Sequence, residues 1–109
     1  MKKISFNYKG KKFNIAAKPC RFFSPGLIFR TRNTEPCLFE FKEPTRFKIS
    51  SLFVFFPFIA VWLDGKDKVI EIKKIRPFTF SAGIKEPFYK IVEIPLSDNY
   101  KKFKFLVGD

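Results

Sequence analysis

Histidine is absent from this 109-residue sequence, and cysteine occurs only twice. Histidine is the commonest general base near neutral pH, so its absence excludes a Ser-His-Asp triad and argues against acid–base catalysis. Two cysteines without histidine also fall short of the four ligands of a structural zinc site. We therefore predict no catalytic residue, no metal site and no cofactor, and the sequence favours a protein that is not an enzyme.

Acidic residues are missing from the first third of the chain. Residues 1–34 contain nine Lys or Arg residues and no Asp or Glu, whereas the rest holds 13 basic and 10 acidic residues. The net charge of +12 therefore originates mainly near the N terminus. Such a field attracts nucleic acid, anionic membranes or acidic proteins, but lysines on strands also serve to block edge pairing. The sequence leaves both interpretations open.

Long hydrophobic runs are missing as well. The longest uncharged apolar stretch, Leu52–Leu63, contains Pro57 and is shorter than the roughly 20 residues that span a membrane. Polar side chains within residues 5–12 interrupt the N-terminal segment before a signal region can form. We predict no membrane span, no export signal and a cytoplasmic location. In that compartment Cys20 and Cys37 are expected to be reduced thiols in the core.

Phenylalanine, by contrast, is abundant, with 17 copies in a chain that is 46% hydrophobic. Aromatic side chains favour strands and bury large areas, so this composition indicates a β core. A chain of this length accommodates one such core, and we predict a single domain over residues 1–109.

The N-terminal segment is typical of a hairpin followed by a helix. Apolar and polar residues alternate on both sides of Gly10, a residue that readily adopts the positive φ of a tight turn. This pattern predicts a β-hairpin over residues 3–18. Further on, Ser24 is a favoured N-cap and a proline follows it, which predicts a short helix from about Pro25 to Arg30.

Short strand-like runs continue to the end of the chain, and Asp64-Gly65 between two of them predicts a second hairpin. The expected strands cover residues 37–41, 47–56, 58–63, 69–75, 78–80, 88–94 and 103–107. This many short strands predicts a mainly β fold, a small barrel-like or rolled antiparallel sheet with the one short helix.

Several short motifs, in order and spacing, resemble the domain of unknown function 192 family. They are Gly26-Leu27-Ile28 with Arg30, the apolar strand Cys37-Leu38-Phe39, Phe56-Pro57 with Val61-Leu63-Asp64-Gly65, Pro77-Phe78, Ile91-Val92-Glu93-Ile94-Pro95 and Gly108-Asp109. The similarity covers about residues 16–109. It implies a compact, mainly β domain with a short helix, and it implies no activity because the family is largely uncharacterised.

The chain departs from that family at three positions. The usual His, Met and Asp of the family fall at Ser50, Val54 and Ile59. A hydroxyl and two aliphatic side chains replace the residues best suited to hold a ligand. Chemistry that depends on the family's His and Asp is therefore not expected here.

Four residues stand out as candidates for ligand binding: Arg21, Arg30, Trp62 and Glu93. The two arginines could converge on a phosphate or carboxylate, or Arg30 could simply complement a helix C terminus. Glu93 alternates with Ile91 and is expected to point inward, with an arginine as its partner. Trp62 suits either the core or the mouth of an aromatic cleft that includes Phe53, Phe55 and Phe78.

Three functions follow from these features, in order of preference. The first is a non-catalytic module that binds a small ligand or a protein partner. The second is single-stranded nucleic-acid or other polyanion binding through Lys9, Lys11, Lys12, Lys18 and Arg21, with interleaved aromatic residues for stacking. The last is an enzyme with Glu93 as an acid.

Overall fold

Six strands form one sheet in the part of the chain that the computed structural model describes, residues 1–20, 35–49, 54, 56–79, 81–97, 100, 101, 103 and 106. The strands are β1 (Lys2–Tyr8), β2 (Lys11–Cys20), β3 (Cys37–Thr45), β4 (Phe58–Leu63), β5 (Val69–Ile75) and β6 (Phe88–Pro95). Their order across the sheet is β1-β2-β3-β6-β4-β5. Neighbouring strands are antiparallel except for β2 and β3, which run parallel.

The sheet is rolled into a nearly closed barrel, which confirms the predicted fold class. Residues of β1 and the first residue of β5 line one cleft, so the two edge strands meet at a seam. The parallel β2–β3 pair differs from the expected antiparallel sheet; residues 21–36 supply the long connection that a parallel pair requires. The predicted helix Pro25–Arg30 lies outside the described residues. In the described ranges no helix is long and apolar enough to cross a membrane.

Two predicted strands take other forms where they are described. In the run 47–56, Ile49 makes an isolated bridge with Ala82, and their backbone hydrogen bonds measure 2.8 and 2.7 Å. In the run 103–107, the buried residues Phe103 and Leu106 lie in 3₁₀ turns. Their spacing of three places both side chains on one face of such a turn, whereas the alternation of Phe103 with lysine had indicated a strand.

The first hairpin is confirmed, and its turn is the two-residue loop Lys9-Gly10. Both residues have positive φ, 50° and 76°, as the type I′ turn that matches strand twist requires. The turn sets the register in which Ile4 faces Ile15 and Phe6 faces Phe13. The rings of this last pair stack with centroids 5.6 Å apart, inside the barrel.

Two hydrophobic clusters lie on opposite faces of the sheet. The inner cluster fills the rolled sheet with side chains such as Phe6, Phe13, Val61 and Phe103. The outer cluster covers the other face of the central strands and is built from Cys37, Phe39, Ile49, Val54, Phe56, Phe58, Ala60, Trp62, Ile75, Phe88 and Ile91. Ile49, Val54 and Phe56, which lie outside the strands, thus contribute to the second layer that a sheet face needs.

Strand β4 and residues 91–95 of β6 are buried on both faces as a result. Along β4, Ile59, Val61 and Leu63 belong to the inner cluster, while Phe58 and Trp62 belong to the outer one. Every residue of β4 is buried. A strand between two layers is therefore apolar throughout, which explains the unbroken hydrophobic run in the sequence.

A chain of charged side chains links four parts of the sheet. Lys2 of β1 donates to both carboxylate oxygens of Glu40 on β3 at 2.8 Å. Lys90 of β6 lies 3.9 Å from the same carboxylate and 2.6 Å from Asp67 in the β4–β5 turn. Lys90 is only partly exposed, so its pair with Asp67 is screened less than an ordinary surface pair.

The second predicted hairpin is confirmed between β4 and β5. The Asp64 carboxylate accepts hydrogen bonds from the backbone N–H groups of Lys68 and Lys66, at 2.9 and 2.8 Å. These bonds, with Lys68 the larger contributor, hold the pKa of the Asp64 carboxyl below its usual value. The aspartate therefore serves the turn and is committed to backbone contacts.

We expect Gly10→Ala to destabilise the fold by about 1 kcal/mol. The added Cβ would meet no atom within 4 Å, so the loss would report only the left-handed backbone at φ 76°. Gly65→Ala is the control, because its Cβ would make ordinary contacts at 3.5 Å with Tyr89 and its φ is not left-handed. Urea unfolding would measure the stability of both variants. Equal shifts of their unfolding midpoints would contradict this account of the turn.

Candidate functional site

Glu93 is a carboxylate buried among apolar residues on the outer face of the sheet. It lies on β6, directly across from Cys37 of β3 on one side and Ala60 of β4 on the other. Its side chain is 5% exposed, and both neighbours are fully buried. Arg21 and Arg30, the partners expected from the sequence, lie outside the described residues.

Burial changes the acidity of this group. Desolvation disfavours the charged carboxylate and raises the pKa of Glu93 from 4.5 to about 8, and the charge of the nearby Cys20 acts in the same direction. At neutral pH the side chain is therefore mostly protonated. As the pH approaches 8 a growing fraction of Glu93 is ionised, so the group can both donate and accept a proton in that range.

Two thiols lie beside this carboxyl group. Cys20 ends β2 and Cys37 begins β3, and their Sγ atoms are 2.7 Å apart. Neither forms a disulfide bond. Cys37 is fully buried, and Cys20 is partly exposed. Over the residues that the structure describes, no three Cys, His, Asp or Glu side chains are placed to hold a metal ion.

Trp62 is fully enclosed in the outer cluster. Its ring packs edge-to-face on Phe88 with centroids 6.5 Å apart, and Lys73 lies over it at 5.9 Å. Its indole N–H finds no acceptor within the described residues. Phe78, by contrast, is 59% exposed, while Phe53 and Phe55 lie outside the described residues. The described part of the chain thus places Trp62 in the core and Phe78 at the surface.

A cleft of about 500 Å³ lies at the seam of the barrel. One wall comes from the first hairpin, with Ser5, Phe6, Asn7 and Lys12. The opposite wall is residues 66–69, at the end of the β4–β5 turn and the start of β5. The two hairpins bring these walls together although they are far apart in sequence.

The seam cleft carries an excess of positive charge. Lys12, Lys66 and Lys68 are all exposed along its walls. The one carboxylate among its lining residues, Asp67, is held by Lys90 at 2.6 Å. Because that pair neutralises Asp67, three ammonium groups remain to attract an anion into the cleft.

A second groove, of about 510 Å³, lies beside the loop that precedes β6. Its lining includes Lys48, Lys73 and Lys85, but also Glu71 and Glu86. Lys73 donates to the backbone oxygen of Gly83 at 2.7 Å, so part of this charge is used within the fold. The mixed signs make this groove a weaker anion site than the seam cleft.

The lysines of the N-terminal segment are spread along the hairpin. Lys9 and Lys11 flank the turn next to Lys12, and the Lys9 ammonium lies 5.4 Å from the Tyr8 ring. Lys18 is exposed toward the other end of β2, where it pairs in register with Cys37. Arg21, the fifth member of the proposed basic set, lies outside the described residues.

The aromatic residues of the hairpin face the core. Phe6 and Phe13 are 2% and 5% exposed, and Tyr8 is half-buried. Phe22 and Phe23 lie outside the described residues. The described hairpin therefore presents lysines without the open aromatic platform that stacks nucleic-acid bases.

Sequence reasoning missed two features of these sites. Lys66 and Lys68 were not singled out, although they closely follow Asp64-Gly65, because nothing in the sequence shows which edge strands meet. The proximity of Cys20 and Cys37 was missed as well, since it depends on the parallel pairing of β2 and β3. Local patterns do not encode such a pairing.

Two of the three positions at which the sequence differs from the family that it resembles lie in the core. Val54 and Ile59 are 1% and 0% exposed, in the outer and inner clusters respectively. Ser50 lies outside the described residues. At these two buried positions the aliphatic side chains act in packing.

The fold is similar to that of two solved structures. A protein of unknown function from Novosphingobium aromaticivorans DSM 12444 matches with a TM-score of 0.76 and 15% identity, over 94% of this chain and 77% of that one. A protein proposed to be a transcription regulator from Sinorhizobium meliloti 1021 matches with a TM-score of 0.76 and 15% identity, over 96% of this chain and 84% of that one. No family model matches the sequence, and no curated protein does. At this identity the similarity shows the shared fold alone.

The buried carboxyl group predicts an unusual pH dependence of stability. Between pH 4.5 and about 8 the unfolded chain loses the Glu93 proton while the folded chain keeps it. Protonated Glu93 therefore makes its full contribution to the free energy of unfolding below pH 4.5, and this contribution is lost as pH rises to about 8. The slope approaches about 1.4 kcal/mol per pH unit.

Glu93→Gln should remove that slope, because glutamine does not titrate. Urea unfolding at several pH values between 5 and 8 would measure it, with Glu71→Gln on the exposed face of β5 as the matched control. The control is expected to keep the wild-type dependence. Parallel curves for wild type and Glu93→Gln would refute the raised pKa.

Proposed function

We propose that the protein is a non-catalytic binding module that holds an anionic ligand in the seam cleft. The observation that carries this proposal is the set of three lysines, Lys12, Lys66 and Lys68, around a cleft whose own carboxylate is paired with Lys90. Phosphate and carboxylate groups are the chemistry that such ammonium groups recognise.

The geometry of the cleft supports binding in preference to catalysis. Its walls offer ammonium groups and the side-chain amide of Asn7, which can donate hydrogen bonds to oxygen atoms. The Ser5 hydroxyl already donates to Asn14. The titratable group with the strongly raised pKa, Glu93, lies in the outer cluster and does not line this cleft. Among the described residues, the cleft therefore combines positive charge and hydrogen-bond donors, and its one carboxylate is paired with Lys90.

Single-stranded nucleic acid is the second candidate ligand. The exposed residues Lys3, Lys12 and Lys18 all lie on the outward face of the first hairpin, and this hairpin contains no Asp or Glu. Phosphates could follow this face from the seam cleft. The solved structure proposed to be a transcription regulator is in keeping with such a role, but the inward-facing aromatics of the hairpin limit it to backbone contacts.

We also propose that the chain is a divergent member of the domain of unknown function 192 family. The matched residues Phe56, Pro57, Val61, Leu63 and Asp64 form the approach to β4, its core and its turn. A mainly β fold is what that family resemblance implies. The proposal rests on these motifs, and it adds no activity.

The triple variant Lys12→Gln, Lys66→Gln, Lys68→Gln should weaken anion binding by about 10- to 100-fold at low salt. Fluorescence anisotropy with a labelled single-stranded oligonucleotide would measure the affinity from low to near-physiological salt. The slope of log K against log salt is negative, and each lost phosphate contact reduces its magnitude by about 0.7 for a single strand. Competition with inorganic pyrophosphate and with an acidic peptide would show whether the cleft prefers a small anion or a polymer.

The matched control is Lys48→Gln, Lys74→Gln, Lys85→Gln, which removes the same charge at the second groove and on β5. At near-physiological salt this variant should bind within about threefold of wild type, because long-range attraction is then screened, and at low salt it should lose less affinity than the seam variant. Equal losses in the two triple variants would mean that affinity follows net charge alone. That result, or binding that vanishes at physiological salt, would contradict the seam cleft as a site.

A further inference from the structure

Cys20 and Cys37 form a pair of thiols that the anion-binding proposal does not use. They are 17 residues apart in sequence and end and begin the adjacent parallel strands β2 and β3. Their sulfur atoms, at 2.7 Å, need to approach by less than about 1 Å to reach the length of a disulfide bond. Cys37 lies opposite Lys18 in the β2–β3 register, and Cys20 lies opposite Phe39. The two cysteines are therefore diagonal neighbours on one face of this strand pair.

The two thiols differ in access. Cys20 is partly exposed, and its Sγ lies 3.6 Å from the backbone oxygen of Lys18. Cys37 is fully buried behind it. A reagent from solution therefore reaches Cys20 first, while Cys37 meets a partner sulfur only through Cys20.

The third member of the group is Glu93, directly across the sheet from Cys37. The thiolate is the form of cysteine that attacks a disulfide, and a buried thiol needs a base to generate it. Glu93 lies across the sheet from Cys37, and with a pKa of about 8 the ionised fraction that can take that proton grows as the pH approaches 8. A surface carboxylate with an ordinary pKa would be a weaker base.

We infer that Cys20, Cys37 and Glu93 form a thiol–disulfide exchange site, with Cys20 as the attacking thiol, Cys37 as the resolving thiol and Glu93 as its proton acceptor. The substrate class is a small disulfide, such as oxidised glutathione, or an exposed disulfide on another protein. This site lies on the outer face of the sheet and is independent of the seam cleft.

The exchange proceeds in two balanced steps. The Cys20 thiolate attacks one sulfur of the substrate disulfide, forming a mixed disulfide, and the departing thiolate takes up the proton that Cys20 lost. Cys37 then gives its proton to Glu93 and attacks the Cys20 sulfur, which releases the second substrate thiolate. Glu93 returns the proton to that thiolate. The two cysteines are oxidised by two electrons in total, and the substrate disulfide is reduced to two thiols.

The direct test incubates the folded, reduced wild-type chain with oxidised glutathione, followed by acid quench, alkylation and intact mass measurement. We expect a monomer that has lost two hydrogen atoms, carries no glutathione and resists alkylation at both cysteines. Treatment with a reductant should restore both thiols. A persistent glutathione adduct, a disulfide-linked dimer, or oxidation only in denaturant would overturn the inference.

Two serine variants separate the roles of the thiols. Cys37→Ser should stop at a stable glutathione adduct on Cys20, because the resolving thiol is missing. Cys20→Ser should remain unmodified, because Cys37 is fully buried. Equal modification of the two variants would contradict the assigned order of attack.

Glu93→Gln tests the proton acceptor. Ring closure should slow by about tenfold or more, while adduct formation in the Cys37→Ser background should be unchanged by the same substitution. The closure rate of wild type should also show an ionisation near pH 8 that Glu93→Gln lacks. Equal closure rates at every pH would contradict the role of Glu93. Tryptophan fluorescence of each variant reports whether the fold around Trp62 is intact.

Discussion

Burial of both faces of β4 and of most of β6 is the constraint on which the rest of the structure depends. The inner cluster fills the rolled sheet, and the outer cluster covers its other side, so β4 and residues 91–95 of β6 are buried on both faces. Such strands tolerate polar side chains only where the surroundings satisfy or neutralise them. Glu93 is the charged residue in the buried part of β6, and its pKa of about 8 is the direct consequence. The same burial places Cys37 beside it and shields that thiol from solvent.

The constraint also determines where ligands can bind. With the interior packed by aromatic and aliphatic side chains, the open surfaces that we describe lie at the periphery, where the edge strands meet and where loops cross the outer face. At the seam, two hairpin turns expose lysines whose nearest carboxylate is already paired. The basic seam cleft and the thiol pair are therefore separate features of one rolled sheet. The first suits an anion, and the second suits a disulfide.

Local patterns predicted much of the fold. The alternation around Gly10, the Asp64-Gly65 turn and the apolar run through β4 each correspond to a confirmed element, because their physics is local: turn φ angles and one-sided or two-sided burial. The strand predicted for the run 103–107 was wrong at the two residues of that run that the structure describes, Phe103 and Leu106, which lie in 3₁₀ turns. The seam lysines and the cysteine pair could not be predicted, because they depend on which distant strands become neighbours. Glu93 was found from alternation, but the thiols that give it chemical meaning were not.

Direct titration of Glu93 tests the central claim most closely. The carboxyl carbon of a ¹³C-labelled glutamate side chain reports ionisation through its chemical shift, and comparison with Glu93→Gln assigns the resonance. The account predicts a midpoint near pH 8, well above the ordinary value of 4.5. A midpoint close to 4.5 would show that the carboxylate is hydrated or paired with a cation, and it would remove both the two-sided burial of β6 and the proton acceptor of the thiol site.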